Sequence, residues 1–341
     1  MKHILFVFAM LFIFSGCKEN RNSTANANMV LGAPEAVVSS APNTEMEKGP
    51  IEYAPKVPAI EDKDTVDIKI DARHKMYTVA RDYPYYAWVF GDSIPGPVIH
   101  LRVGQTIRFS MTDRSNDSMP PMAMAMNMQP MQHSWDFHAA MVNPEDKFRS
   151  IDPGQTISFT WTANYPGVFM YHCGTPSVLM HLSNGMIGMV IVEPKDGFPS
   201  TADTSFAIVQ NEYYMRKVGD AYAYDTTKAL SKQPTFVTFN GKSGQYVVRP
   251  LRAKAGQRVR MYILNAGPNN ITNFHVIGCI FDKVWLDGNP KNELNGMQAV
   301  LLGPASGAIV EFVLPEKGKY TFVDHSFADA EKGAIGVIVA E

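Results

Sequence analysis

The chain of 341 residues is long enough for two domains of ordinary size, each with its own core. Its 45% hydrophobic and 19% charged residues are those of a soluble globular protein. Formal net charge is -2 and no basic patch stands apart, which argues against nucleic acid or an anionic membrane surface as partner.

The chain opens on "MKHILFVFAMLFIFSG", one early Lys and then an apolar run too short to span a bilayer comfortably, the pattern of a secretory signal. It ends in "FSGC", which resembles the lipobox of bacterial lipoproteins, and that resemblance implies that Cys17 carries the lipid. Residues 1–17 are therefore expected to export the protein and leave it anchored by lipid alone, facing the periplasm or the cell surface. Residues 18–55, rich in Asn, Ala, Ser, Pro and Glu without apolar periodicity, read as a disordered tether.

From about residue 56, short alternating or apolar runs such as "TVDIKIDA", "TIRFSMT" and "VRMYILNAG" are separated by Gly, Pro and Asp, which predicts an all-β fold. An internal repeat divides it. "GMIGMVIVE" (185–193) recurs as "GAIGVIVAE" (333–341), and upstream "PGVFMYHC" is echoed by "EKGKYTFVDHS". "PVIHLRVGQTIRFSM" likewise returns as "YVVRPLRAKAGQRVRMYI". Two copies of one β-sandwich follow, over 56–195 and 205–341.

The first copy holds most of the metal-capable residues. "HSWDFH" supplies His133, Asp136 and His138; Cys173, His181 and Met186 form a Cys-x7-His-x4-Met run. Two imidazoles, one thiolate and a weak thioether (His133, Cys173, His181, Met186) are the ligand set of a blue-copper site, whereas zinc needs no Met. Strand alternation separates the remaining donors. His133 and His138 differ by an odd number and serve opposite sides; Asp136 and His138 share one; the neighbours His172 and Cys173 diverge. Cys173 and His133 are thus expected inside, with His172, His138 and Asp136 outside, so that one peptide bond links two metals.

Here the chain, over roughly 56–341, resembles the copper-containing nitrite reductases, built from two tandem cupredoxin-like Greek-key domains. "HSWDFH" matches that family's His-x-x-Asp-x-His motif, and "YHC", "MHLSNGM", "NFHVIG" and "VDHS" match further segments in order. The short Cys-to-His spacing resembles the shorter-loop branch. The resemblance implies one type 1 copper (His133, Cys173, His181, Met186) and one type 2 copper per subunit. The type 2 ligands would be His138, His172 and a neighbouring subunit's His325, in a homotrimer. It implies reduction of nitrite to nitric oxide, with Asp136 and His275 supplying the two protons and Ile277 shaping the pocket. The single electron would pass through Cys173–His172 from a donor such as a c-type cytochrome or small cupredoxin.

Two other readings compete. A multicopper oxidase needs His-x-His pairs and a His-Cys-His element; this chain has no His-x-His and reads "YHCG". His74 and His100 are expected to stand in strands or turns without partners. A copper-binding or electron-carrier lipoprotein needs only the blue site and leaves His138, His172, His325 and Asp136 without a reason. Beside the motif lie Met119, Met122, Met124, Met126, Met128 and Met131, suited either to Cu(I) handling or to packing and donor docking. The prolines at 120, 121 and 130 disfavour a helix there. Cys279 reads as a buried thiol.

Overall fold

The computed structural model describes residues 55–117, 121–125 and 129–341. Cys17, most of the tether, Met119, Met126, Met128 and the side chain of Met122 lie outside the described residues.

Four sheets stack into two β-sandwiches. In the first, the long strand Thr65–Ala80 pairs antiparallel with Tyr83–Phe90 and parallel with Thr106–Asp113. This sheet faces a smaller one ordered Ile99–Arg102, Ile187–Glu193, Gly167–His172, Asp136–Phe137. The second sandwich repeats the scheme: Thr204–Tyr213 runs parallel to Arg258–Asn265, opposite a sheet in which Gly318–Asp324 pairs antiparallel with Ile335–Ala340. The repeated segments occupy matching strands. A hairpin, Met215–Val218 with Ala221–Tyr224, extends the first sandwich's sheet beside Tyr83–Phe90.

The two copies of the repeat differ in burial, and the layering explains why. In "GMIGMVIVE", Val190 and Val192 face the first core while Ile187, Met189 and Ile191 face a separate cluster shared with Val209, Leu264, Trp285 and Ile309 of the second sandwich. A strand covered on both faces reads as one apolar run. Ile335–Ala340 lies in an outer sheet, and its residues alternate between buried and half-buried.

The sandwiches meet at close range. The Val168 N–H donates to the Asp287 carbonyl at 2.7 Å, and a Cβ on Gly307 would fall 2.5 Å from the Val168 oxygen. Backbone cannot yield there as a side chain would. Gly307→Ala is expected to destabilise the fold by about 1–3 kcal/mol, seen as a lowered melting temperature.

Candidate metal centres

The motif "HSWDFH" alternates in its second half, where Asp136–Phe137 forms a short strand, while Ser134 is buried beside its neighbours. His133, Trp135 and Phe137 are buried, Asp136 is half-buried and His138 is exposed. Trp135 stacks on Tyr171 at 4.4 Å between ring centroids, which locks the motif against the strand Gly167–His172. That strand delivers His172 at its last position and Cys173 just beyond. The chain then forms the short helix Val178–Ser183, which carries His181, and returns so that the Cys173 N–H donates to the Met186 carbonyl at 3.2 Å.

The result is one buried cluster. Cys173 Sγ lies 3.1 Å from His181 Nδ1 and 3.9 Å from His133 Nδ1, and the two Nδ1 atoms are 3.3 Å apart. Met186 is buried in the same core. The Ser134 N–H donates to Cys173 Sγ at 3.4 Å. Burial raises the Cys173 thiol pKa and pushes that of His133 well down, helped by His74 and His181; burial also lowers His181 to about 4. Neutral imidazoles and a thiol that ionises only against a cation suit a soft metal. The donor set fits copper.

These imidazoles also set the acid response. Their folded pKa values lie below the ordinary 6.5, so the unfolded chain binds protons that the folded one refuses. Metal-free protein should lose stability as pH falls below 6.5, His181's share running down to about 4. Each group contributes up to about 1.4 kcal/mol per pH unit in its window. Denaturant midpoints at neutral and mildly acid pH check it.

Two expectations need correction. His74 is not without partners: it is buried, its Nε2 lies 2.8 Å from His133 Nε2, and its Nδ1 lies 2.9 Å from the Tyr86 hydroxyl. Strand register puts it there, since His74 pairs opposite Trp88 and stacks on it at 5.0 Å. Burial, then the His181 charge, lowers its pKa to about 3. His100 is also engaged, donating from Nδ1 to the Pro58 carbonyl at 2.6 Å with Nε2 3.1 Å from Glu193, and it belongs to neither donor cluster. Within the methionine segment, where the prolines were expected to disfavour a helix, Pro121–Ala125 forms a short one. Pro121 occupies its first position, where the missing N–H costs nothing. Met124 is 65% exposed, and Met131 packs on the first core. Cys279 is a buried free thiol whose pKa burial raises to about 11.

The second cluster lies across the same peptide bond. Asp136 and His172 pair directly across two strands, and Asp136, His138 and His172 offer ligand atoms within 4.8 Å of one another. His138 Nε2 is 3.0 Å from His172 Nε2, and Asp136 Oδ2 is 3.8 Å from the latter. His172 Nδ1 contacts the Cys173 carbonyl at 3.0 Å. A carbonyl only accepts, so Nδ1 holds the proton and Nε2 keeps its lone pair for a metal. Local desolvation and the neighbouring His172 lower the His138 pKa, against the Asp136 charge.

His325 belongs to neither cluster. It follows the strand Gly318–Asp324 as Cys173 follows its own, and is exposed. Its ring lies 5.6 Å from that of His275, and both line a cavity of about 140 Å³ with Asn273, Gln298 and Ala299. His275 donates from Nδ1 to the Gln298 carbonyl at 2.5 Å, leaving Nε2 as its acceptor. Ile277, two residues on, is 49% exposed and not among the residues lining that cavity.

Known proteins resemble the chain over most of its length. The multicopper oxidase family matches over residues 71–197. A copper-containing nitrite reductase of Neisseria meningitidis serogroup B is 37% identical over 298 residues, 85% of this chain and 73% of that protein. The solved copper nitrite reductase of Nitrosomonas europaea shares 35% identity at a TM-score of 0.72, covering 81% of this chain and 94% of that one. For that of Thermus scotoductus the figures are 30%, 0.71, 81% and 62%. With likeness of this extent running through both sandwiches, the chain belongs to the copper-containing nitrite reductase family.

Proposed function

We propose that the protein reduces nitrite to nitric oxide with two coppers per subunit. The type 1 metal would be held by His133, Cys173, His181 and Met186. The type 2 metal would be held by His138, His172 and a second copy's His325. The observation carrying this reading is the placement of two donor clusters on either side of the His172–Cys173 peptide bond.

Reduction of nitrite consumes one electron and two protons and releases water. Copper, when bound, supplies the electron and a positive charge for the anion. The chain's own groups do the rest. His172 and Cys173 join the two clusters by one covalent link. Asp136, on the strand face shared with His138, holds a proton at its carboxyl for the departing oxygen. His275, its Nδ1 proton committed to Gln298, works from Nε2 on the opposite wall. A carrier protein would need only the buried cluster.

The half-sites call for a second copy of this chain. Ile271, Ile277, Leu301 and Phe327 are exposed on the same strands and loops as His275 and His325, the Phe327 ring 4.8 Å from that of His325, a surface that a trimer would cover. The leader ending in Cys17 supports export and lipid anchoring in the periplasm or at the cell surface. A c-type cytochrome or small cupredoxin is the donor class we assign.

Cys173→Ala tests the division of labour. It should abolish the blue absorption, leave one copper per subunit instead of two, and stop donor-driven turnover. Wild-type turnover from the colourless variant would overturn the reading.

A further inference from the structure

His74 has no place in the ligand sets above, yet it touches one of them. We infer that His74 is a positioning residue of the type 1 centre: its Nε2 accepts the Nε2–H of His133, orienting that ring and strengthening it as a metal donor. This rests on the assignment of His133 as a ligand.

Hydrogen-bond bookkeeping leads there. Nδ1 of His133 is the nitrogen directed at Cys173 and His181. Once it is committed to a metal, the ring's only proton is on Nε2, in a fully buried position. The atom facing it, at 2.8 Å, is His74 Nε2. That atom must then be a lone pair, which puts the His74 proton on Nδ1, 2.9 Å from the Tyr86 hydroxyl. One proton order satisfies the chain His133, His74, Tyr86. The stack on Trp88 and the near-perpendicular approach of the two imidazoles, at 78°, fix the acceptor in line. Mere filling of space would not require a second imidazole with its nitrogen aimed at the ligand. An acceptor on the outer nitrogen of a ligating histidine raises its basicity. A more basic ligand favours Cu(II) over Cu(I), so His74 holds the potential of the site down.

The test is the midpoint potential of copper-loaded protein, read from the blue band during redox titration. His74→Leu, which removes the acceptor, should weaken the preference for Cu(II) about tenfold, a rise of about 59 mV for a one-electron couple. His74→Gln, whose amide oxygen can accept, should return most of the shift. Tyr86→Phe should raise the potential by less. An unchanged potential in His74→Leu overturns the inference, as does an equal rise in His74→Leu and His74→Gln. If His74→Leu yields no folded blue protein, Tyr86→Phe decides: a rise supports the inference and no change overturns it. Wild-type protein that binds copper without a blue band would instead refute the assignment of His133 and Cys173 as ligands.

Discussion

Asp136→Asn is expected to slow nitrite reduction by about 10²- to 10⁴-fold, the range for losing a general acid, with both coppers and the blue band retained. The carboxyl stands directly across from His172 and beside His138, 3.8 Å from the His172 Nε2 assigned to the metal. Asparagine keeps the shape and can still hydrogen-bond an oxygen, but it cannot release a proton to it. Copper content should not change, because the three imidazoles remain. Steady-state nitric oxide release, with copper analysis and the visible spectrum as controls, checks the outcome. Turnover near that of the wild type would remove Asp136 from the acid role and leave His275 as the nearest alternative.

The second large effect concerns His325. His325→Ala should lose the type 2 copper and all turnover while remaining blue, although this residue contributes to neither cluster within one chain. His138→Ala should fail identically. Mixed and reassembled, the two inactive proteins should regain activity, because an interface that pairs His138 and His172 of one copy with His325 of another is then whole. Random assembly restores about a quarter of the interfaces in a closed ring. A mixture that stays inactive despite subunit exchange would place the whole site inside one chain.

The donors were legible in the sequence where adjacency or alternation decided their direction. His172 and Cys173 must diverge because they are neighbours on a strand, and the structure buries Cys173 while leaving His172 half-open. His133 and His138 divide between inside and outside, with Trp135 and Phe137 on the inner side, although Ser134, of the outer phase, is buried as well. The two sandwiches were legible because matched segments recur in the same order.

His74 was not legible. Its partner is 59 residues away and is chosen by the register of Thr65–Ala80 against Tyr83–Phe90 and by sheet-to-sheet packing; no local pattern carries that. The available signal was weak: a histidine in phase with the inward-facing Ala72 and Ile70 of an alternating strand. His100 escaped for the same reason, its clasp being set by the parallel pairing with Ile187–Glu193. The helix Pro121–Ala125 was missed because proline was weighed as an interruption and not as a first residue.

The most direct measurement is anaerobic nitric oxide release from nitrite by copper-loaded, signal-deleted protein fed by a reduced dye, beside the His138→Ala variant. The account predicts rapid release that vanishes in the variant. A visibly blue protein that releases no nitric oxide, or a variant that releases as much as the wild type, would contradict it.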